Sequence, residues 1–330
     1  MTRRPRLTVA LLAVAASLFC VLALILRARP ITNLVSLIVA VGSPFVPLLA
    51  LTGLALAVVS RRVWLSVGAL SVVVTTVAVQ AGWYYIGSAA DLPQHTDVRV
   101  LSSNLRLGQA DPSTLVGLAE DKADVIAVSE LTAGAIERFE GAGIDEAFPH
   151  SMLIPSPGAG GIGLWSRYPL IAVPSGKPQN YAIAAARVQI PAARFDPLVA
   201  SVHVGSPVAS DRDAVAEWRI GVAAIKTTMT AFAVGTDPAA VIVAGDFNST
   251  PDERQYRDLL TNGYRDAVEQ TGAGFSPTFP SRTWHPPLLT IDHVLTRNAA
   301  ASSIRTVYIP GSDHRALLAT IQVPLDPAAS

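Results

Sequence analysis

Six apolar runs in this chain end on residues able to do acid–base or metal chemistry. Asn104 closes VRVLSSN, Glu130 closes ADVIAVSE and His203 closes LVASVH. Asp246 and Asn248 follow VIVAG in the stretch AGDFNST, Asp292 and His293 interrupt LLTIDHVL, and Asp313 and His314 precede the last run in GSDHRALLATI. One polar residue at a strand end is ordinarily a cap or a turn former. Six ends restricted to Asp, Glu, Asn and His build an oxygen-rich pocket if one edge of a sandwich gathers them. Such a donor set suits Mg²⁺, with Mn²⁺ as the alternative, because both prefer carboxylate, carbonyl and water ligands. Zinc is disfavoured, since no paired His/Cys spacing is present. Period-2 alternation along GDFN would put Asp246 and Asn248 on one side and turn Phe247 into the core.

The elements that must position these residues are short. Strands are expected at Val98–Ser103, Val125–Ser129, Gly161–Ser166, Ala182–Gln189, Leu198–His203, Ala240–Ala244, Leu289–Leu295 and Leu317–Val323. Asp111 followed by Pro112 predicts an N-cap and first helical position leading into a helix over Ser113–Lys122. Ser210 is expected to cap a second helix over Asp211–Phe232. Its residues Val215, Trp218, Val222, Ile225, Met229 and Phe232 recur every three or four positions, a buried stripe rather than a cofactor site. Strands mixed with occasional helices predict an α/β or α+β sandwich over residues 93–330.

Residues 1–92 have a different character. They hold 7 of the 25 basic residues and 1 of the 25 acidic ones, which leaves 18 − 24 = −6 for residues 93–330. Three apolar runs, about 7–26, 34–59 and 63–86, reach the ~20 residues that a helix needs to cross ~30 Å of hydrocarbon. A cleaved leader would account for the first run alone. Pro44 and Pro47 predict a kink in the second. Arg3, Arg4, Arg6, Arg61 and Arg62 point to a cytoplasmic N-terminus; Arg27 and Arg29 argue the other way. Three spans then make a multi-pass protein of the cell membrane, in contact with the lipid bilayer, with residues 93–330 outside the cytoplasm. The single cysteine, Cys20, excludes an intramolecular disulfide.

Taken in order, Asn104, Ser129-Glu130, GLWSRYPL, His203, GDFNSTP, IDHVL and SDHRA resemble the endonuclease/exonuclease/phosphatase superfamily, which includes DNase I-like nucleases, neutral sphingomyelinases and inositol-phosphate phosphatases. The resemblance runs from about Val98 to Val323. It implies a four-layered α/β sandwich and metal-dependent hydrolysis of a phosphate ester. It implies Glu130 as the principal metal carboxylate, supported by Asn104. It makes Asp246 the group that orients or deprotonates the attacking water and Asn248 a phosphate contact. His314 becomes a base or phosphate stabiliser, and His203 lies near the leaving group. Asp292 and Asp313 orient histidines or complete the metal shell, their two roles left unassigned. Ser103, Ser129 and Thr290 depart from residues common in the family at those places, which bears on substrate rather than chemistry.

His293 alternates to the other strand face and is expected to be structural. Arg167 is expected to brace a turn, and His95 and His150 to lie on the surface. Trp284 and His285 form a candidate substrate loop. Nucleic acid and phospholipid both remain open as the phosphoester. A −6 domain lacks the basic footprint that phosphate-backbone binding needs, although Arg106, Arg167, Arg187, Arg282 and Arg315 stand near motif ends. A non-catalytic binding module that keeps the fold is the alternative.

Overall fold

The computed structural model describes residues 3–89, 91–174, 181–209, 213–282, 284 and 286–327. The chain divides into two compact units. The first is Met1–Ile86 together with Pro251–Arg257, and the second is Gly87–Thr250 with Asp258–Ser330. The sequence expectation had placed this boundary near residue 92 and had not singled out 251–257.

In the first unit, helices α1 (Arg3–Ala28), α2 (Leu34–Val41), α3 (Val46–Val59) and α4 (Val63–Tyr84) are followed much later in the chain by a single turn, Arg254–Arg257. Two stretches, Arg6–Ala28 and Val63–Tyr84, are each long and apolar enough to cross a membrane. α2 and the segment ending in α3 form a third such stretch if taken as one span, bent by 45° between them. The break contains Pro44, and Pro47 follows in the first turn of α3, where its missing N–H costs no helical hydrogen bond. Small residues face inward: Ala13, Ala57 and Ala69 pack together, and Cys20, Ala23 and Ala50 form a neighbouring cluster with Val46 and Val73. Large ones such as Leu11, Leu18, Leu48, Leu51 and Val74 face outward. Segment 251–257 is fastened to these helices by polar groups. Asp252 Oδ1 accepts from Arg27 Nε at 2.6 Å and from Gln80 Nε2 at 3.0 Å. Gln255 holds both backbone groups of Ile31.

The second unit is a four-layered α/β sandwich. Its described residues form two six-stranded sheets. One has the order β11 (Ala300–Tyr308), β12 (Arg315–Pro324), β1 (His95–Asn104), β2 (Val125–Ser129), β4 (Ile162–Ser166), β3 (His150–Ile154). The other runs β5 (Leu170–Ala172), β6 (Tyr181–Val188), β7 (Leu198–Val204), β8 (Val241–Asp246), β10 (Asp292–Arg297), β9 (Arg265–Asp266). The inner faces meet at hydrogen bonds such as Ser201 Oγ to the Val128 carbonyl, 3.0 Å. On the first sheet lie α5 (Pro112–Lys122) and α6 (Ala133–Gly141), whose Leu115, Ala119 and Phe139 share a core with Leu101, Ile126 and Trp165. On the second lies α8 (Ala214–Thr236), facing inward through Trp218, Val222, Ile225, Met229 and Phe232, while Val215 is half-buried. Short helices α7 (Ile144–Ala147) and α10 (Ala267–Thr271) complete the unit, with the Arg254–Arg257 turn as α9 of the first.

The cap expected at Asp111 forms, its Oδ1 accepting from Thr114 N at 2.8 Å. The helix expected over Asp211–Phe232 is described from Ala214 and runs on to Thr236; Ser210 lies outside the described residues. The strand expected from Leu289 starts at Asp292, because the Thr278, Phe279 and Leu289 backbones pair with each other instead.

Candidate functional site

Strand register assembles the site. β7 and β8 run parallel with His203 beside Asp246, and β8 and β10 run antiparallel with Asp292 beside Asp246. Residues in direct register point to the same face. His203, Asp246 and Asp292 therefore stand in one row across three strands of the second sheet. β1 and β2 run parallel with Asn104 beside Ser129, which brings Glu130, one residue on, next to Asn104 at the same ends. His314 arrives from the turn ahead of β12.

The side chains meet at Asn104 and Asp246. Asn104 Nδ2 donates to Glu130 Oε1 at 3.1 Å and to Asp246 Oδ2 at 3.0 Å. His314 Nδ1 contacts Asp292 Oδ2 at 2.8 Å, and its Nε2 lies 3.7 Å from Asp246 Oδ2. His203 Nδ1 lies 2.9 Å from the Ala159 carbonyl. A carbonyl only accepts, so Nδ1 carries the hydrogen and Nε2 is aimed into the site. There Nε2 is 3.6 Å from Asp246 Oδ2 and 3.9 Å from Glu130 Oε1. Asn248 lies alongside, its Nδ2 on the Val204 carbonyl at 2.8 Å and 3.4 Å from His203 Nε2.

Asn248 reaches that position differently from the expectation. β8 ends at Asp246, so the pleat does not continue to residue 248. Asp246 Oδ1 accepts the Asn248 N–H at 2.8 Å, and Asn248 sits at φ +46. Asparagine tolerates this left-handed conformation because its side chain can bond locally. Phe247 is buried as expected and meets the His293 ring edge-on. Glu130 is also left-handed, at φ +57, which a glutamate adopts only where its surroundings hold it. Its Oε2 accepts from the Leu107 N–H at 2.8 Å.

Burial and charge set the protonation of the centre. Burial pushes the Asp246 carboxyl up, a trend that His314 and His203 oppose and Asp292 reinforces. For His314 burial alone would lower the pKa. Asp292 and Asp246, the hydrogen bond that the ring donates to Asp292, and Asp313 outweigh it and push the ring up to about 10.

The donors fit a hard divalent cation. One ligand atom from each of Asp246, Asp292 and His314 lies within 4.8 Å of the others, and Glu130 approaches the same place across Asn104. This is an oxygen-dominated set with one imidazole. Asp313 is placed apart from that group. Its carboxylate lies 3.9 Å from Arg106 Nε, and it reaches His314 only as a nearby charge. The structure thus separates the two aspartates that sequence had left together: Asp292 grips the His314 ring, and Asp313 faces Arg106.

Other expected residues fall as follows. His293 is buried on the opposite face, between Asp266 Oδ2 at 2.8 Å and the Ser249 carbonyl at 2.9 Å. Arg167 braces the turn after β4 through the Ala123 carbonyl at 2.8 Å and stacks over Phe148. His95 contacts the Leu92 carbonyl, and His150 is half-buried on β3. Trp284 is exposed near Arg282, and His285 lies outside the described residues. Three contributors had not been anticipated. Ser312 Oγ donates to the Asn104 carbonyl at 2.7 Å and accepts the His314 N–H at 3.0 Å, which ties the His314 turn to β1. The Phe279 ring packs 4.9 Å from the His314 ring. Ala159 acts through its carbonyl, which no residue type announces.

Comparison with known proteins places this geometry. A search of curated proteins found no match. Among solved structures, an endonuclease/exonuclease/phosphatase family protein from Bacteroides thetaiotaomicron is similar, with a TM-score of 0.54 and 14% identity over 69% of this chain and 98% of that one. A relative from Bacteroides vulgatus gives a TM-score of 0.52 and 17% identity over 69% and 99%. Humanized D. rerio TDP2 gives 0.53 and 16% over 68% and 98%. These likenesses establish the fold. Residues 101–314, a span from β1 to the His314 turn that takes in every residue of the cluster, match the family model, and the chain belongs to the Endonuclease/Exonuclease/phosphatase family.

Proposed function

We propose that this protein is a metal-dependent hydrolase of phosphate esters, held in the cell membrane by its N-terminal helices with the catalytic unit outside the cytoplasm. The observation that carries the hydrolase reading is the Asp292–His314–Asp246 arrangement beside Asn104 and Glu130. Glu130, Asp246, Asp292 and, through its amide oxygen, Asn104 would hold the cation; Mg²⁺ suits these oxygens best, with Mn²⁺ an alternative. A bound cation opposes the charge on the phosphate oxygens.

The chain's own groups supply the rest. The two carboxylates keep the proton on His314, so the ring faces a phosphate oxygen as a charged donor through Nε2. Asp246, its carboxyl pushed up by burial, takes the proton of the attacking water. His203, its Nδ1–H committed to Ala159, faces the departing ester oxygen through Nε2 and, when that nitrogen also carries a proton, passes it to that oxygen. Asn248 offers its amide to phosphate without adding repelling charge. Asp313 steadies the charge on His314 from a distance.

The membrane reading is supported by helices with small residues inward and large apolar ones outward, a pattern suited to hydrocarbon surroundings. Asp252 bonds Arg27 near the end of α1 and Gln80 near the end of α4, so both ends lie on one side of the first unit. That is the result an odd number of crossings gives. Arg27, one of two arginines counting against this orientation, is paired with Asp252 and so loses weight as a topogenic charge.

The full chain in detergent, offered bis-p-nitrophenyl phosphate, should turn over with Mg²⁺ or Mn²⁺ and stop with EDTA. Absence of metal-dependent turnover, with no change on His314→Ala, would sink the hydrolase. An alkaline phosphatase reporter fused after Ser330 should be active; a silent fusion with normal expression reverses the orientation.

A further inference from the structure

Beside the catalytic row the two sheets part around a cavity of about 600 Å³. Its walls come from β3 and β4 on one side and from β5, β6 and the end of β7 on the other. Met152, Ile154, Ile162, Tyr181 and Ile183 line it, together with the buried His203. The volume falls within the range of pockets that take small organic ligands, roughly 300–1,000 Å³. The Tyr181 hydroxyl contacts Thr228 Oγ1 at 2.8 Å, so that residue's hydrogen-bonding group has a partner of its own. His203 is the one ionisable side chain among the described lining residues other than Tyr181.

His203 belongs to both places. Its Nδ1 is held by Ala159, itself part of the cavity wall, and its Nε2 stands 3.6 Å from Asp246. Whatever fills the cavity therefore lies within one imidazole's width of a phosphate held at Asp246 and His314. Such an occupant is apolar and joined to phosphate. A nucleic acid would instead put sugar and further anionic phosphate against Ile154 and Met152, in a domain whose formal charge is 18 − 24 = −6 over residues 93–330. Two stretches of the same chain, and a bent third if α2 and α3 are taken as one span, are apolar enough to reside in a bilayer, which supplies molecules of this chemistry at high local concentration.

We propose that this cavity binds the hydrocarbon chain of a bilayer phospholipid whose phosphoester lies at His203, making it the subsite that selects the substrate. The proposal rests on the phosphoesterase reading for its catalytic meaning, while occupancy of the cavity is measurable without turnover.

The test uses the full chain in detergent with dihexanoylphosphatidylglycerol, kept monomeric, carrying a photoactivatable diazirine in one acyl chain. Mass spectrometry should find the label on residues 152–162 and 181–183, competed by unlabelled lipid and not by glycerophosphoglycerol. Ile154→Glu places a carboxylate on the apolar wall and Ala172→Trp fills space; both sit at exposed positions on edge strands. Each should reduce labelling there by about tenfold, the scale of putting a charge or misfit into an apolar contact, and leave labelling of the N-terminal helices unchanged. Label confined to the N-terminal helices, or cavity label indifferent to both variants, overturns the proposal. Turnover of the lipid is scored beside bis-p-nitrophenyl phosphate. Labelled cavity with metal-dependent turnover of neither compound leaves the apolar subsite standing and removes the hydrolase reading.

Discussion

His314 is the residue on which protonation, geometry and chemistry converge. Its ring is gripped by Asp292 at 2.8 Å and watched by Asp246 at 3.7 Å. Asp292→Asn keeps the shape but removes the charge that holds the proton, so kcat should fall by about 10²–10⁴ on bis-p-nitrophenyl phosphate, the range for acid–base groups. Unchanged kcat would place Asp292 outside the mechanism. The same contact predicts a pH signature of the metal-free protein. His314 rises from 6.5 to about 10 on folding, so the folded state binds its proton more tightly than the unfolded state. That stabilisation is complete below about 6.5 and is lost as pH climbs toward about 10. Asp246, also raised, has the same sign. The melting temperature of EDTA-treated protein should drop across this window, and His314→Gln should flatten the slope; a slope identical in both proteins would refute the linkage. The residue types that do this were legible in the chain, but the partner of His314 was not. Asp313 is its neighbour in sequence, whereas Asp292, twenty-two positions away, is its partner in space.

At the scale of elements, legibility followed burial. β2, β4, β7 and β8 are buried at every position and read as short, mostly apolar runs, while β1 and β6 are buried over most of their length. β3 and β11 are sheet edges with mixed or exposed positions, and so had no run to read. Register, which builds the His203–Asp246–Asp292 row, depends on a glycine that sequence showed only as part of a motif. Gly245 sits at φ +147, and a Cβ there would lie 2.0 Å from the Val202 carbonyl. Gly245→Ala must push β8 away from β7. A loss of about 3 kcal/mol in urea titration, near the upper end for single substitutions, should accompany loss of activity. A stable, active variant would mean that the pairing of β7 with β8 does not set the site.

For the whole molecule the telling segment is 251–257, which follows AGDFNST directly and packs with the N-terminal helices. Its Asp252 is buried against Arg27. Removing one partner strands a buried charge, at a cost of about 3–5 kcal/mol, whereas replacing both with apolar groups is often neutral. Arg27→Met should therefore lower the melting temperature in detergent, and Arg27→Met with Asp252→Leu should restore most of it. Equal damage from the single and double variants would show that the pair is not the source. The apolar runs 7–26, 34–59 and 63–86 were plain from composition. That a piece from beyond residue 250 joins them was not, since nothing local distinguishes PDERQYR from any polar turn.

Local pattern determined what kind of elements exist and which chemistry the chain carries. Hydrophobic run length reported burial, and Asp, Glu, Asn and His at run ends named the reactive groups. The fold decided the rest: the row formed by register, the division of labour between Asp292 and Asp313, the left-handed turn that delivers Asn248, and the apolar cavity beside His203. The row, the division of labour and the cavity depend on contacts between residues far apart in sequence. Such contacts follow from how whole sheets pair and pack, and no window of a few residues contains both partners.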